Sequence, residues 1–297
     1  MQHILTLTAA SGALSSSIVS EATRALSRAR AAAADPITLA SGTAVDIPFD
    51  AADIGPVLAT VRAALAERAV DVNAQAADGR RKKLLIADMD STMILGETLD
   101  ELADFAGLKE QISEITARAM RGELDFEGAL DERVGMLAGV PSSALDRVNA
   151  ALELTPGGPS LLATMKASGA YCALVSGGFK PTTSAIRARL GFHEDRGNNL
   201  EILDGKLTGK VLRPILGKEA KLDTLTELAQ AHGIRLEETL AVGDGANDLA
   251  MLTASGMGVA FRAKPAVQEA AQFRINHADL AGLLYLQGYT TSEIITS

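Results

Sequence analysis

The stretch Leu84-Leu85-Ile86-Ala87-Asp88-Met89-Asp90-Ser91-Thr92 joins a short apolar run to two acids. The run is too short for a typical helix and predicts a buried strand. Two carboxylates at its carboxyl end repel each other unless a cation neutralises them or one holds a proton. Catalysis uses both arrangements, with the ionised acid as nucleophile or metal ligand and the protonated one as general acid. A plain turn after the strand, where Asp and Ser are common, explains the pair equally well on its own.

Composition limits the class of protein. The chain has 297 residues, of which 47% are hydrophobic, and a formal net charge of −9. The length suffices for one large or two modest domains. The acidic balance argues against nucleic acid or an anionic membrane as a partner. No stretch reaches the apolar length of a membrane span, and residues 1–19 lack the basic start of a signal peptide. We therefore expect a cytoplasmic protein with no nucleic-acid or membrane partner.

The single cysteine, Cys172, lies in the apolar run Tyr171-Cys172-Ala173-Leu174-Val175. One cysteine excludes an intramolecular disulfide framework, which suits a reducing compartment. The apolar neighbours predict a buried core residue rather than a nucleophile.

The chain divides into two parts at a basic polar stretch over residues 78–83. Residues 1–78 predict a small α+β domain, which includes a helix over Ile18–Ala33. That part contains no catalytic motif, and we interpret it as a regulatory domain or as the contact surface of a homodimer. Residues 79–297 predict the catalytic domain, with a helical cap inserted at about 97–155.

After the insertion, strands and helices alternate up to an expected last core strand at Gly258–Phe261. Such alternation predicts the α/β class with a Rossmann-like, doubly wound parallel sheet. Ligands on this architecture bind beyond the carboxyl ends of the strands. The fold prediction is therefore a small α+β domain followed by such a sheet with a helical cap insertion.

Two further predicted strands also end in polar groups. Ser176-Gly177-Gly178 offers a hydroxyl and flexible amides for an oxyanion, although an ordinary strand-to-helix turn looks the same. Gly243-Asp244-Gly245-Ala246-Asn247-Asp248 adds carboxylate oxygens suited to Mg²⁺. In that stretch Asp248 either supports the cluster or caps the next helix. Lys221, early in a predicted helix, reads as a surface charge unless the other motifs form an anion site.

Taken in order, these motifs resemble the haloacid dehalogenase-like phosphatases, and among them the phosphoserine phosphatases. The resemblance covers roughly residues 84–290, and its specificity comes from the recurrence of all four motifs in order. It implies a Mg²⁺-dependent phosphatase that hydrolyses O-phosphoserine through an aspartyl-phosphate, the last step of serine biosynthesis.

The resemblance also implies a role for each motif residue. Asp88 is the expected nucleophile and Asp90 the expected general acid and base. The implied magnesium ligands are Asp88, the backbone carbonyl of Asp90, and Asp244. The residues expected to hold the phosphoryl group or its surroundings are Ser176, Gly177, Lys221 and Asn247, with Thr92 and Asp248 in support.

Substrate choice is expected to come from the helical insertion. Phosphoserine carries an ammonium and a carboxylate, so a selective site needs an acid and a cation. Glu97 and Arg133 match the family's positions for these tasks, and the planar guanidinium of Arg133 suits a carboxylate. Met120 and Phe126 are candidates for the pocket wall.

Two alternatives stay open at this point. One is a phosphatase or phosphotransferase that acts on a related amino-acid phosphate, such as phosphothreonine or phosphohomoserine. The other is a non-catalytic sensor that keeps the fold, which the intact set of motif residues disfavours. A membrane pump with the same aspartyl-phosphate logic is excluded because the chain has no predicted membrane spans.

Overall fold

The computed structural model describes residues 1–121 and 123–296, and of Met120 it describes the backbone alone. Its amino-terminal sheet is antiparallel, in the order β2-β4-β1-β5 with β3 also paired to β4. The strands are β1 (His3–Thr8), β2 (Ala32–Ala33), β3 (Ile37–Ala40), β4 (Ala44–Asp50) and β5 (Asp71–Ala76). Helices α1 (Ser16–Arg28) and α2 (Ile54–Ala64) pack on this sheet and share one hydrophobic core with it.

The predicted helix over Ile18–Ala33 is too long at its carboxyl end. Helix α1 ends at Arg28, and Arg30 has a left-handed backbone with φ of 61°. Ala32–Ala33 then forms β2, which pairs with β4. Alanine favours a helix in isolation, but pairing with a neighbouring strand outweighs a propensity of well under 1 kcal/mol per residue.

The second sheet is parallel, in the order β13-β12-β11-β6-β7-β8. Its strands are β6 (Leu84–Ala87), β7 (Tyr171–Phe179), β8 (Glu194–Asn198), β11 (Thr239–Gly243), β12 (Met257–Phe261) and β13 (Phe273–Ile275). The expectation that Gly258–Phe261 is the last core strand is therefore wrong, because β13 follows it. Three residues are too few to show a strand pattern in the sequence.

Helices cover both faces of the parallel sheet, as a doubly wound fold requires. They are α7 (Gly158–Ala167), α8 (Lys180–Leu190), α9 (Glu219–Ala231), α10 (Leu249–Ala254), α11 (Pro265–Ala270) and α12 (Gly282–Leu286). Alternate residues of β6 point to opposite faces: Leu84 and Ile86 join the core beneath α9 and α10, whereas Leu85 joins the larger core on the other face. Cys172 is buried in that larger core as expected, and burial raises the pKa of its thiol to about 12.

The insertion after β6 is helical, as predicted. It consists of α3 (Thr98–Phe105), α4 (Lys109–Met120), α5 (Phe126–Met136) and α6 (Ser143–Ala151). A hairpin of β9 (Leu200–Leu203) and β10 (Lys206–Val211) supports it from the sheet side, where Leu207 exchanges backbone hydrogen bonds with Gly139 and Val140 at 2.8 and 2.9 Å. None of the helices in the described part of the chain combines the length and apolar character that a bilayer crossing requires.

The order of strands places a crevice between β6 and β11. From β6 the chain proceeds to β7 and β8 on one side, and later to β11, β12 and β13 on the other. Such a reversal of direction leaves a cleft at the carboxyl ends of the two central strands, where ligands bind in this fold.

The side chain of Asn73 joins the two sheets. It is 1% exposed, accepts a hydrogen bond from the backbone amide of Arg274 at 3.0 Å, and donates one to the carbonyl of the same residue at 2.9 Å. Arg274 lies in β13, the edge strand, so Asn73 satisfies backbone groups that an edge strand otherwise leaves open.

We expect Asn73→Ala to lower the free energy of unfolding by about 2 kcal/mol, because it leaves a buried N–H and a buried C=O without partners. Urea unfolding of the purified chain measures this. Ser27→Ala, on the exposed side of α1, is the control and should change stability by less than about 0.5 kcal/mol. A similarly small effect of Asn73→Ala would contradict its role at the junction.

Candidate active site

Three carboxylates meet at the carboxyl ends of β6 and β11. Asp88 follows β6 directly, and Asp244 and Asp248 follow β11. One oxygen of each lies within 4.8 Å of the others. The backbone amide of Asp88 also donates a 3.0 Å hydrogen bond to Val242 in β11. The two strands therefore fix the separation of these acids before any ligand is bound.

Lys221 is the counter-charge inside this cluster. Its ammonium lies 2.7 Å from Asp88 Oδ1 and also pairs with Asp248, and the residue is only 2% exposed. Burial acts to lower the pKa of Lys221, but the charges of Asp88 and Asp248 outweigh it, and the pKa rises above its usual value. The lysine is therefore charged. It lies behind Asp88 and is absent from the wall of the cavity described below, whereas the sequence led us to expect contact with the phosphoryl oxygens.

Asp248 holds the loop that carries Asp244. Its Oδ2 accepts hydrogen bonds from the backbone amides of Asp244 at 3.1 Å and Gly245 at 2.9 Å. A Cβ at Gly243 would overlap the Asp248 carboxylate, so this turn requires glycine. Thr92, fully buried, donates to Asp244 Oδ1 at 3.3 Å. Both predicted supporting residues thus contact the cluster directly.

Asp90 has neutral partners where Asp88 has a cation. Its Oδ1 accepts from the backbone amide and the hydroxyl of Thr98, at 2.8 and 2.5 Å. Since Thr98 begins α3, Asp90 also caps the first helix of the insertion. Desolvation raises the pKa of Asp90, while the bonds from Thr98 oppose the shift. Ser91, which lies between Asp90 and the start of α3, has a left-handed backbone with φ of 53°.

Ser176-Gly177-Gly178 belongs to the extended end of β7 rather than to a separate turn. The Ser176 hydroxyl accepts from the amide of Gly178 at 2.8 Å and donates to Asp90 Oδ2 at 3.3 Å. A Cβ at residue 178 would lie 3.0 Å from that hydroxyl and 3.1 Å from the Asp90 carboxylate. A side chain at this position would therefore press on both groups, and glycine lets the strand end approach the acids closely.

A cavity of about 400 Å³ opens above these groups, between the strand ends and the helical insertion. Most of the predicted site residues line it: Asp88, Asp90, Glu97, Arg133, Ser176, Gly177, Asp244 and Asn247. Phe126 lines it as well, and the side chain of Met120 lies outside the described residues. Lys221, Thr92 and Asp248 lie behind the wall, where they contact its acids.

Glu97 and Arg133 face the cavity from the insertion. Desolvation first, and then the charge of Asp90, raise the pKa of Glu97 to about 7, although the residue is exposed to solvent. Ser91 donates a 2.8 Å hydrogen bond to Glu97. Arg133 donates from Nε to the carbonyl of Ala129 at 3.1 Å, which orients its guanidinium along α5. The cavity therefore offers an acid and a cation besides the aspartate cluster.

The donor set fits a hard divalent cation. Oxygen ligands are those that Mg²⁺ prefers, and desolvation raises the pKa of both Asp88 and Asp244. Two desolvated acids of this kind, one buried and one half-buried, gain most from a bound cation. Asp248 is already engaged by Lys221 and two amides. Asp88 and Asp244 are thus the side chains best able to hold the metal.

Sequence reasoning missed several residues of the cavity wall, and Lys264 and Thr98 are two of them. Lys264 follows the carboxyl end of β12, and Thr98 begins α3 beside Asp90. The signal for Lys264 was present, because the end of every parallel strand reaches the same edge of the sheet. Thr98 carried no signal, since its contact depends on how the insertion turns back over the strand end.

Comparison with known proteins identifies relatives. A sequence model of the haloacid dehalogenase-like hydrolases matches residues 85–253. A phosphoserine phosphatase of Streptomyces coelicolor is 42% identical over 85% of this chain and 62% of its own length. The chain thus spans about three fifths of the length of this and other curated relatives.

Solved structures agree in fold. A HAD family hydrolase from Salmonella enterica superposes with a TM-score of 0.85 and 32% identity, over 96% of this chain and 98% of its own. A substrate-bound phosphoserine phosphatase complex superposes with a TM-score of 0.64 and 39% identity, over 69% of this chain and 98% of its own. The second structure therefore matches about two thirds of this chain, and almost all of its own chain lies within that match.

We expect Lys221→Met to lower the free energy of unfolding by about 3 kcal/mol at pH 7, because two buried acids lose their cation. The loss should shrink at pH 5, since protonation of Asp88, whose pKa is raised by burial, relieves the same repulsion. Denaturant unfolding in a chelating buffer at both pH values measures it. Lys218→Met, exposed near the start of α9, is the matched control. Equal stability of Lys221→Met and the parent would refute the counter-charge role.

Proposed function

The chain belongs to the haloacid dehalogenase-like hydrolases, and on that premise we propose that it is a Mg²⁺-dependent phosphoserine phosphatase. It hydrolyses O-phosphoserine to serine and phosphate, as the last step of serine biosynthesis in the cytoplasm. The observation that carries the proposal is one cavity with the Asp88 cluster at its base and Glu97 and Arg133 on its helical wall. A homodimer and a regulatory role for residues 1–78 remain predictions, as does the domain boundary at residue 78.

In the first step, Asp88 attacks phosphorus and the bond from phosphorus to the serine oxygen breaks. Lys221 holds Asp88 Oδ1 at 2.7 Å, which leaves Oδ2 for the new bond. Asp90, whose hydrogen-bond partners are neutral whereas Lys221 pairs with Asp88, enters this step protonated and gives its proton to the departing serine oxygen. The products are serine and an aspartyl-phosphate on Asp88.

In the second step, water attacks the aspartyl-phosphate and the bond from Asp88 to phosphorus breaks. Asp90, now ionised, takes a proton from that water. Phosphate leaves and both aspartates return to their starting states. Thr98 keeps Asp90 in one orientation through both steps, because its amide and hydroxyl hold Oδ1.

The phosphoryl oxygens need positive charge and hydrogen-bond donors more than covalent chemistry. Ser176, the amide of Gly177 and Asn247 supply donors from the strand ends, and Lys264 adds a cation at the same edge. Asp88, Asp244 and the backbone carbonyl of Asp90 would hold Mg²⁺. The ion supplies charge that lets a carboxylate approach an anionic phosphate.

Selectivity comes from two charges outside the reacting group. Ionised Glu97 pairs with the substrate ammonium, and Arg133 binds its carboxylate through the guanidinium nitrogens that Ala129 does not engage. The names of the similar proteins support the same substrate, since curated relatives of this chain are phosphoserine phosphatases. A phosphotransferase or an enzyme for a related amino-acid phosphate would share the base of the site but not the same response to these two charges.

We expect Asp88→Asn to reduce kcat for phosphoserine by at least about a thousandfold, because the amide cannot act as the nucleophile. Acid-quenched reactions with labelled substrate should leave label on the parent protein and none on the variant. Chelation of Mg²⁺ should abolish turnover of the parent. Asp104→Asn, at an exposed residue of α3 outside this cavity, controls for the loss of one negative charge. Substantial phosphatase activity of Asp88→Asn would contradict the proposed mechanism.

A pair of substrate analogues tests selectivity. 3-Phosphoglycerate replaces the ammonium of phosphoserine by a hydroxyl, and phosphoethanolamine lacks the carboxylate. Glu97→Gln should lower kcat/KM for phosphoserine by about 10- to 100-fold and leave 3-phosphoglycerate nearly unchanged. Arg133→Gln should lower kcat/KM by a similar factor for phosphoserine and for 3-phosphoglycerate. It should leave kcat/KM for phosphoethanolamine nearly unchanged.

Matched controls for these variants are Glu101→Gln and Arg147→Gln, which lie on the insertion away from the cavity wall. Uniform losses across all three substrates would show that Glu97 or Arg133 acts on folding or on the phosphate, not on selectivity. No preference of the parent for phosphoserine would overturn the substrate while leaving the phosphatase mechanism standing.

A further inference from the structure

A second, smaller cavity of about 160 Å³ lies where the amino-terminal sheet meets the edge of the parallel sheet. Its basic side chains come from both parts of the chain. Arg62 and Arg68 lie at and beyond the end of α2, whereas Arg274 lies in β13 and His277 in the loop that follows. Nothing in the proposed catalysis uses these residues.

The carboxylates near this cavity are already engaged. Glu21 pairs with Arg68 at 3.2 Å. Asp71 lines the cavity, but its oxygens accept backbone amides of the catalytic part, from Asn276 at 2.6 Å and Ala278 at 2.9 Å. Asp71 therefore holds the junction together and is not free to pair with a guanidinium.

Arg62 and Arg274 lack a negative partner among the described residues. Arg62 donates from Nε to the carbonyl of Val72 at 3.0 Å and more weakly to the neutral side chain of Asn73. Burial, and then the charge of Arg274, lower the pKa of Arg62 to about 10. Two guanidiniums thus repel each other across a partly desolvated cavity, which disfavours the folded state unless an anion lies between them.

We propose that this cavity binds a phosphate-sized oxyanion between the guanidiniums of Arg62 and Arg274. A planar guanidinium fork binds tetrahedral oxyanions through paired hydrogen bonds, and two forks that face one space can share one anion. The volume of the cavity is several times the roughly 30 Å³ that one water occupies, so a tetrahedral ion fits. Because its ligands come from both sheets, the anion fastens the amino-terminal part to the catalytic part.

The ligand is free phosphate or the phosphate group of a small metabolite, and two probes distinguish these sources. The first is inorganic phosphate, and the second is phenylphosphonate, a non-hydrolysable ion with a bulky substituent. Unfolding temperature is measured for each in a chelating buffer without Mg²⁺, with sodium chloride keeping ionic strength constant. A ligand that binds only the folded state raises this temperature. We expect inorganic phosphate at saturation to raise it by roughly 3–6 °C. An equal rise with phenylphosphonate assigns the site to phosphate esters, and no rise with it assigns the site to free phosphate.

The decisive variant is Arg274→Gln, because the Arg274 side chain makes no hydrogen bond within the described residues that its loss would remove. The phosphate-dependent rise should fall below about 1 °C in this variant and persist in Arg274→Lys. It should also persist in Ser176→Ala, which weakens phosphate binding at the catalytic cavity instead. Arg24→Gln, exposed on α1, is the matched control for the lost charge.

Phosphate-free buffer separates a binding role from a structural one. There Arg274→Gln should unfold at or above the temperature of the parent, because the repulsion with Arg62 is gone. A purely structural Arg274 would instead lower the unfolding temperature equally in both buffers. That result, an unchanged phosphate response in Arg274→Gln, or an equal rise with chloride alone would each overturn the proposal.

Discussion

The ion pair of buried Lys221 with Asp88 and Asp248 is the interaction on which the catalytic edge of the sheet depends. Strands β6 and β11 bring acids together at their carboxyl ends, and in a dry crevice that arrangement is unfavourable by several kcal/mol without a cation. Lys221 supplies one positive charge from α9, on the opposite side from the cavity. One oxygen of Asp88 is thereby neutralised and fixed, and the site still keeps room for a divalent ion in front.

Asp88 and Asp90 are two residues apart, yet their surroundings separate their chemistry. Asp88 has a cation 2.7 Å away, whereas Asp90 has only neutral donors from Thr98 and Ser176. Burial raises the pKa of both acids, and only Asp88 has a directly paired cation that opposes the shift. The same Thr98 amide begins α3, so the acid that we propose as proton carrier also positions the insertion. The contact between Asp90 and Thr98 thus orients the proposed general acid and also places the helical wall of the cavity.

The sequence predicted the elements whose signal is local. The apolar runs before Asp88 and Asp244 and the helical insertion follow from short-range patterns. The contacts of Lys221 were harder to predict, because helical spacing does not reveal that a cluster of acids lies beneath one face of the helix. β13 is too short to show a pattern, whereas Lys264 carried a signal in the sequence, because it follows the carboxyl end of a predicted strand. The contacts of Lys221 and Thr98 escaped prediction because they are tertiary in origin.

The junction and the catalytic cavity share a strand pair, but this continuity does not by itself couple them. Arg274 in β13 lies opposite Ala260 in β12, and four residues after Ala260 the chain reaches Lys264 on the cavity wall. Coupling between sites requires an element with two arrangements that both sites bias. A close-packed parallel sheet with both faces covered resists such change. An anion at the junction therefore acts chiefly on how firmly the two sheets are held, and not on the groups around Asp88.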